Sequence, residues 1–306
     1  MWLGVAEPLR SGRPVPPHNL SAPSTKDDGP MHRVIQWSGG IGSWATAELV
    51  VRQHPDDEVT LLFAGVLIED SDLYRFNADA SERLGIPITR VCDGRTPFGL
   101  FRDSRFLGNA RIAPCSRALK QLPCRRWLDD HLDPANTVLY VGLERSELRR
   151  VPGIVADWKP WSVEFPLLHH TSVTKDDLLA WCRASGLTPP RLYRLGFAHN
   201  NCGGLCVRGG QAHWHRTLRE FPDRFQWYDQ QEQRFRAEHG NVAILKRQHR
   251  GRTSPLPLQQ VRAEAGMAGV HPGAMVDEGD LARCMRVLGL GERPRDRRRR
   301  LAVARQ

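Results

Sequence analysis

The apolar positions of this 306-residue chain fall into short runs separated by segments of helical composition. Residues 32–37 carry Val34-Ile35-Gln36-Trp37, and residues 59–64 read Val59-Thr60-Leu61-Leu62-Phe63-Ala64. Unbroken apolar runs of this length suit strands buried on both faces of a parallel sheet. Helices are predicted over 43–53 and 72–84, the second closed by Gly85. A third strand is predicted over 86–91, followed by a long loop containing Asp93 to Phe98. Next come a helix over 116–131 and strands over 137–141 and 162–167. Thr174-Lys175-Asp176-Asp177 opens a helix that runs to about residue 184. Such alternation predicts an α/β fold with an open, mostly parallel Rossmann-like sheet and helices on both faces.

After Gly186 the pattern changes. A glycine- and cysteine-rich loop spans 200–210, and helical patterns follow over 211–220 and 223–239. Residues 241–262 read as a small extended appendage rich in basic residues. One helix is predicted over 278–288, ahead of an arginine run at 293–300. Residues 1–30 are rich in Pro, Ser and Gly and are predicted to be disordered. Met31 directly precedes the first strand, so that segment reads as a dispensable extension or a misassigned start.

Charge narrows the partners. The net charge is +10 and the isoelectric point about 9.7, which favours a polyanion such as tRNA or DNA. The arginine run holds much of that excess, so a basic tail on a near-neutral enzyme is the competing reading. No apolar run is long enough to span a membrane, and no signal segment is visible. Seven cysteines, an odd number, read as free thiols or metal ligands of a cytoplasmic protein.

The first chemical signal is Ser38-Gly39-Gly40-Ile41-Gly42-Ser43, between the first strand and the first helix. Glycines admit a ligand close to the backbone, and a helix N-terminus flanked by hydroxyls binds anions. An ordinary glycine-rich turn is the bland alternative. The second signal is Pro114-Cys115-Ser116-Arg117-Ala118-Leu119-Lys120, with Cys124 beyond it. The third is Cys202-Gly203-Gly204-Leu205-Cys206. Thiolates so close in sequence share a metal only if the backbone folds tightly. Cys115 and Cys124 are the candidates to complete four sulfurs, which would suit zinc or an iron–sulfur cluster. Buried inert thiols are the alternative, and that is the reading for Cys92, Cys182 and Cys284. Glu69, Asp70 and Asp72 read as a helix N-terminal acidic cluster in preference to a magnesium site. His213 and His215 read as core or surface histidines, and His199 as a residue supporting the cysteine loop. Trp214, Phe221, Phe225, Trp227 and Tyr228 read as core beneath that loop.

In this order the motifs resemble the PP-loop superfamily of N-type ATP pyrophosphatases, in its phosphoadenosine phosphosulfate reductase-like branch. The resemblance covers about residues 32–240 and extends to uncharacterised phage and bacterial proteins carrying a segment like 68–76. It implies an adenine nucleotide alpha hydrolase-like sheet with ATP, or a sulfonucleotide, held by Ser38, Gly39, Gly40, Gly42 and Ser43. It implies a 4Fe–4S cluster, with Zn2+ as the alternative, on Cys115, Cys124, Cys202 and Cys206. Lys120 matches the lysine that follows the family's Cys-Cys pair, which implies a catalytic role for it, stabilising the charge that develops on the phosphates. The segment 140–150 is similar to the family's segment near the nucleotide, which implies catalytic roles for Glu147 and Arg150. The chain departs from the pattern at Ser116, which replaces the pair's second cysteine, and at Gly65-Val66, where relatives carry an acid. It also has no catalytic cysteine tail. The domains implied are an extension over 1–30, a nucleotide-binding domain with a metal loop over 31–240, and a basic appendage over 241–306. The expected activity is Mg2+-ATP-dependent adenylation and sulfur transfer to tRNA or DNA, fed by a sulfur donor protein. A sulfonucleotide reductase and a zinc-stabilised, non-catalytic nucleic-acid-binding module are the alternatives.

Overall fold

The computed structural model describes residues 31–170 and 172–266. The disorder expected over 1–30, the helix expected over 278–288, the arginine run and Cys284 lie outside the described residues.

Five parallel strands form the central sheet: β1 (His32–Trp37), β2 (Glu58–Gly65), β3 (Ile88–Cys92), β4 (Thr137–Tyr140) and β5 (Ser162–Glu164). Their spatial order is β3-β2-β1-β4-β5. β1 therefore lies between β2 and β4, with His32 in register with Glu58 on one side and Thr137 on the other. The chain leaves β1 for one flank and later returns to the other. That makes the β1/β4 seam the topological switch point, where open α/β sheets hold ligands at the strands' carboxyl ends.

Strand residues alternate between two cores. Ile35, Trp37, Leu61, Phe63, Val138 and Tyr140 face one layer. It contains α1 (Ile41–Gln53), α2 (Ser71–Leu84) and α6 (Lys175–Ala184). Val34, Leu62, Ala64 and Leu139 face the other, against α4 (Leu122–His131) and α5 (Val151–Trp158). Gly85 ends α2 in the left-handed region, and Thr174 and Asp177 form a capping box at the start of α6. The remaining helix of the sheet region, α3 (Pro97–Ser104), occupies the stretch predicted as loop. Thr96 caps it by accepting from the Gly99 amide at 3.1 Å, and Pro97 stands in its first turn.

The helix expected over 116–131 is divided. Residues Ser116–Gln121 form a wider π turn before α4. Pro123 cannot donate to the carbonyl four residues back, and its ring crowds that position. The Leu122 amide accordingly reaches the carbonyl of Arg117, five residues earlier.

A further core gathers Phe98 and Phe101 of α3, Trp214 of α8 (Gln211–Glu220), and Phe225 and Phe235 of α9 (Pro222–His239). A short helix α7 (Arg191–Arg194) precedes it in the chain. Strands β6 (Leu245–His249) and β7 (Arg252–Leu256) form an antiparallel hairpin, and α10 (Leu258–Glu264) follows. Ile244, Leu245, Leu256, Leu258 and Val261 belong to the same core as Phe225 and Phe235. The boundary expected at residue 240 thus falls inside a packing unit, and the appendage is mounted on the helices before it. Among the described residues no helix is long and apolar enough to cross a membrane.

Candidate nucleotide site and thiol cluster

Ser38 to Ser43 lies at the carboxyl end of β1 and runs into α1, at the switch point. Gly39 has φ of +69°, and a Cβ there would sit 2.7 Å from Leu73 Cγ and 2.9 Å from Asn77 Oδ1. Both the left-handed backbone and the packing against α2 require glycine at this position. The hydroxyls of Ser38 and Ser43 are 3.1 Å apart, and Ser43 Oγ also accepts from the Ser38 amide at 3.2 Å. The Ile41 amide donates to the Tyr193 hydroxyl at 3.0 Å. The amides of Gly39, Gly40, Gly42 and Ser43 then meet no protein acceptor among the described residues. Convergent free amides at the start of a helix are what a phosphate accepts from.

The segment after α7 closes the loop from above. Asn200 Nδ2 donates to the Gly39 carbonyl at 2.7 Å, while Asn200 Oδ1 is buried with no partner among the described residues. Tyr193 is half-buried, and desolvation of its phenol pushes it up to about 12, so it is a neutral donor and acceptor at neutral pH. Replacing it by Phe leaves the Ile41 amide unpaired. The expected cost is about 1 kcal/mol of stability, read from urea unfolding, without loss of the sheet.

On the β4 side, the chain turns at Gly142. A Cβ there would lie 2.6 Å from the Gly42 carbonyl carbon and oxygen, so two backbones touch at the seam. Glu144 and Glu147 form a capping box on the 3-10 turn Arg145–Arg150. Glu147 and Arg150, both expected to be catalytic, are ion-paired with each other. Lys175 reaches Glu144 Oε1 at 3.2 Å and donates to the Ala198 carbonyl at 2.7 Å. Desolvation of its ring and then the Lys175 charge hold the neighbouring His199 below its ordinary range.

Cys115, Cys202 and Cys206 share one small cluster with Leu119, Val66 and Leu100. Lys120 lies beside them, and its charge is held against the opposing effect of burial by the acidic groups around it, Glu69 and Cys206. Cys202 and Cys206 are neighbours in that cluster, and the titration of each depends on the other. The neighbouring Cys202 thiol, opposed by burial and helped by the Arg208 backbone and by Lys120, brings Cys206 down to about 6. Cys202 is correspondingly pushed up and keeps its proton. Cys202 also holds φ of +55°, a costly backbone state for a residue with a Cβ.

Cys124 does not join them. It is 2 % exposed and packs beneath the sheet with Val34, Leu62 and Leu128, and burial pushes its thiol up to about 12. Nine residues at about 100° each separate Cys115 from Cys124, so a helix through 116–131 already turns the two thiols to opposite sides, and α4 presents residue 124 to the sheet. Among the described residues no three His, Cys, Asp or Glu side chains converge as a metal site. The four-thiolate donor set expected for a 4Fe–4S cluster or zinc is therefore not assembled. The structure offers three thiols beside an ammonium group.

The acidic cluster is spent on the protein. Glu69 accepts from the Val66 amide at 2.6 Å and the Ile68 amide at 3.2 Å. Asp70 caps α2 by accepting from the Asp72 amide and pairs with Arg191 and Arg224. Asp72 pairs with Arg75 and accepts from the Arg191 amide. This is the helix N-terminal arrangement preferred from the sequence. Arg224 also donates to the Gly203 carbonyl, so the same network presses the cysteine loop against the start of α2.

His213 Nε2 donates to the Gly204 carbonyl at 2.9 Å, and the ring stands edge-on to Phe197; His215 is exposed. Trp214, Phe225 and Tyr228 are fully buried core, as expected. Cys182 is likewise core, and Cys92 is a half-buried thiol near Gly94. Tyr193, Asn200, Gly142 and the Asp70 network escaped the sequence reading, since nothing local marks a residue that acts across the fold. Compared with known proteins, the chain matches no protein-family model and no curated protein.

Proposed function

We propose that this chain is a PP-loop enzyme that binds ATP at Ser38–Ser43 and activates an oxygen of a second substrate by adenylation. The observation that carries this reading is the set of unpartnered amides at Gly39, Gly40, Gly42 and Ser43, beside the paired hydroxyls of Ser38 and Ser43, at the sheet's switch point. Four donors and a helix N-terminus suit a triphosphate better than an uncharged ligand. Asn200 Oδ1, the orphan acceptor above the loop, is available to a donor group of the nucleoside.

In the proposed reaction an acceptor carbonyl oxygen attacks the α-phosphorus of ATP. The bond to the leaving pyrophosphate breaks, and the acceptor becomes an adenylate. Magnesium arrives as part of the substrate. Arg150, an exposed cation on the β4 side, is the residue that turns from Glu147 to the phosphates. A sulfur nucleophile at the sulfide level, from a donor protein, then displaces AMP and leaves a thiocarbonyl. No oxidant or reductant is needed, and no step is assigned to a metal. Lys120 acts as the counter-ion of the thiol cluster rather than as a phosphate ligand. The basic balance makes tRNA or DNA the acceptor class.

The test is ATP–pyrophosphate exchange with bulk tRNA or single-stranded DNA present. Wild type should exchange label, and Ser38→Ala with Ser43→Ala should lower the rate by about 10²-fold or more. Absence of both exchange and ATP binding would sink the reading. Sulfite release from a sulfonucleotide in the presence of thioredoxin would replace it with the reductase.

A further inference from the structure

The hairpin β6–β7 carries Lys246, Arg247, Arg250 and Arg252, and its strands contain no acidic residue. Arg247 is paired with Glu264. Lys246, Arg250 and Arg252 are exposed and make no ion pair among the described residues. The turn is tight, with His249 opposite Arg252 and left-handed φ at Arg250 (+47°) and Gly251 (+75°). Such a turn continues the twist of the strands and holds the ribbon stiff.

The base of the hairpin is anchored. Glu232, buried in α9, accepts from the amides of Ile244 at 2.8 Å and Leu258 at 2.6 Å. Gln211 Nε2 donates to the Lys246 carbonyl at 3.1 Å. Between this base and the end of α3 lies a cavity of about 410 Å³. That is within the size range of small-ligand sites, about 300–1,000 Å³. Leu107, Phe235 and Val242 supply apolar lining, and Asn109, Thr253 and Ser254 supply polar groups. Two exposed side chains of its lining are Arg105 and the 39 %-exposed Phe106.

We infer that the hairpin and this cavity form a binding surface for single-stranded nucleic acid. The three free cations take the phosphates, and the cavity beside Phe106 takes an unstacked base. Cations alone would suit any polyanion. A base-sized, half-apolar recess with an exposed aromatic ring beside the cations suits a strand whose bases are splayed out. The inference takes its partner class from the nucleic-acid acceptor of the proposed function, and its location from the hairpin alone.

The test is fluorescence anisotropy of labelled 20-nucleotide single-stranded RNA and DNA on the full chain across a salt series. The hairpin variant combines Lys246→Glu, Arg250→Glu and Arg252→Glu. A control variant makes the same charge change elsewhere, with Arg126→Glu, Lys159→Glu and Arg183→Glu. The hairpin variant should lose more than about 30-fold in affinity. Its log–log salt slope should shrink by about 2, as three single-strand phosphate contacts would give. The control should change far less. Phe106→Ala should weaken binding by about 10-fold and leave the slope unchanged. Equal losses in the hairpin and control variants would overturn the inference, as would wild type that binds ATP but neither oligonucleotide. Failure of ATP binding with the hairpin effect intact would instead sink the nucleotide reading and leave this surface standing.

Discussion

Asp70→Ala should lower the stability of this protein by about 3 kcal/mol. The carboxylate has no solvent exposure and holds Arg191 at 2.8 Å and Arg224 at 2.7 Å. It also caps α2 through the Asp72 amide at 2.9 Å. Removing one member of a buried ion pair costs about 3–5 kcal/mol, because the partners stay behind unpaired. Arg191 and Arg224 keep some contact with water, which places the expected loss near the lower end, about 3 kcal/mol. For a domain of this size that corresponds to a fall in Tm of roughly 6–12 °C. Arg191→Ala alone should cost less, since Arg224 still satisfies the carboxylate. A melting curve of Asp70→Ala within error of wild type would show that the network contributes no net stability.

The same group sets a pH dependence. Burial alone would push the Asp70 carboxyl up, but the Arg191 hydrogen bond and the Arg224 charge more than offset it. Its folded value therefore lies below the ordinary carboxylate value of about 3.9. The stabilisation is complete above that ordinary value and is lost as pH falls through the folded one. Wild type and Asp70→Ala should differ most above about pH 5 and converge in stronger acid. The network also joins α2, the Arg191 helix and the cysteine loop through Gly203, so the variant should loosen the thiol cluster as well. Faster alkylation of Cys202 and Cys206 in the folded variant would report it.

The sheet was legible because its strands are apolar runs with little else in them. Val34 to Trp37 and Val59 to Ala64 can be buried only as interior strands, and both are. The loop was legible because its glycines and serines act locally. The helix α3 was missed although Thr96-Pro97 is a start signal, because Gly94 and Pro97 together read as loop punctuation. Cys124 was misplaced for a different reason. Residue type suggested it as a ligand, but nine residues at about 100° each set Cys124 on the opposite side of a helix from Cys115, and it packs beneath the sheet. Tyr193 and Asn200 reach the loop across 152 and 161 residues of chain, and no local pattern encodes such a contact. What the sequence marks is therefore the half of the site that folds on itself. The half that arrives from elsewhere becomes visible only when the backbone is in place.

Gly142 belongs to that second half, and Gly142→Ala should separate nucleotide binding from folding. A Cβ at this position would lie 2.6 Å from the Gly42 carbonyl group and 2.8 Å from the Ser43 amide nitrogen. All three are backbone atoms, so no side chain can swing aside. The first turn of α1 must move away from β4, and it carries the amides and the Ser43 hydroxyl of the proposed phosphate site. Overpacking of this kind costs about 1–3 kcal/mol, which a domain with two sheet cores absorbs without unfolding. Displacement of a binding site by about 1 Å, by contrast, costs on the order of 10²-fold in activity. Gly142→Ala should therefore retain its circular dichroism spectrum while ATP–pyrophosphate exchange falls by about 10²-fold. Gly153→Ala is the matched control. It lies in α5 with no heavy atom within 4 Å of its ideal Cβ, so alanine there should be neutral or stabilise by about 0.5–1 kcal/mol. If Gly142→Ala exchanged label like wild type, the contact between Gly42 and Gly142 would not be what fixes the loop, and the phosphate site would have to be placed elsewhere along the carboxyl edge of the sheet.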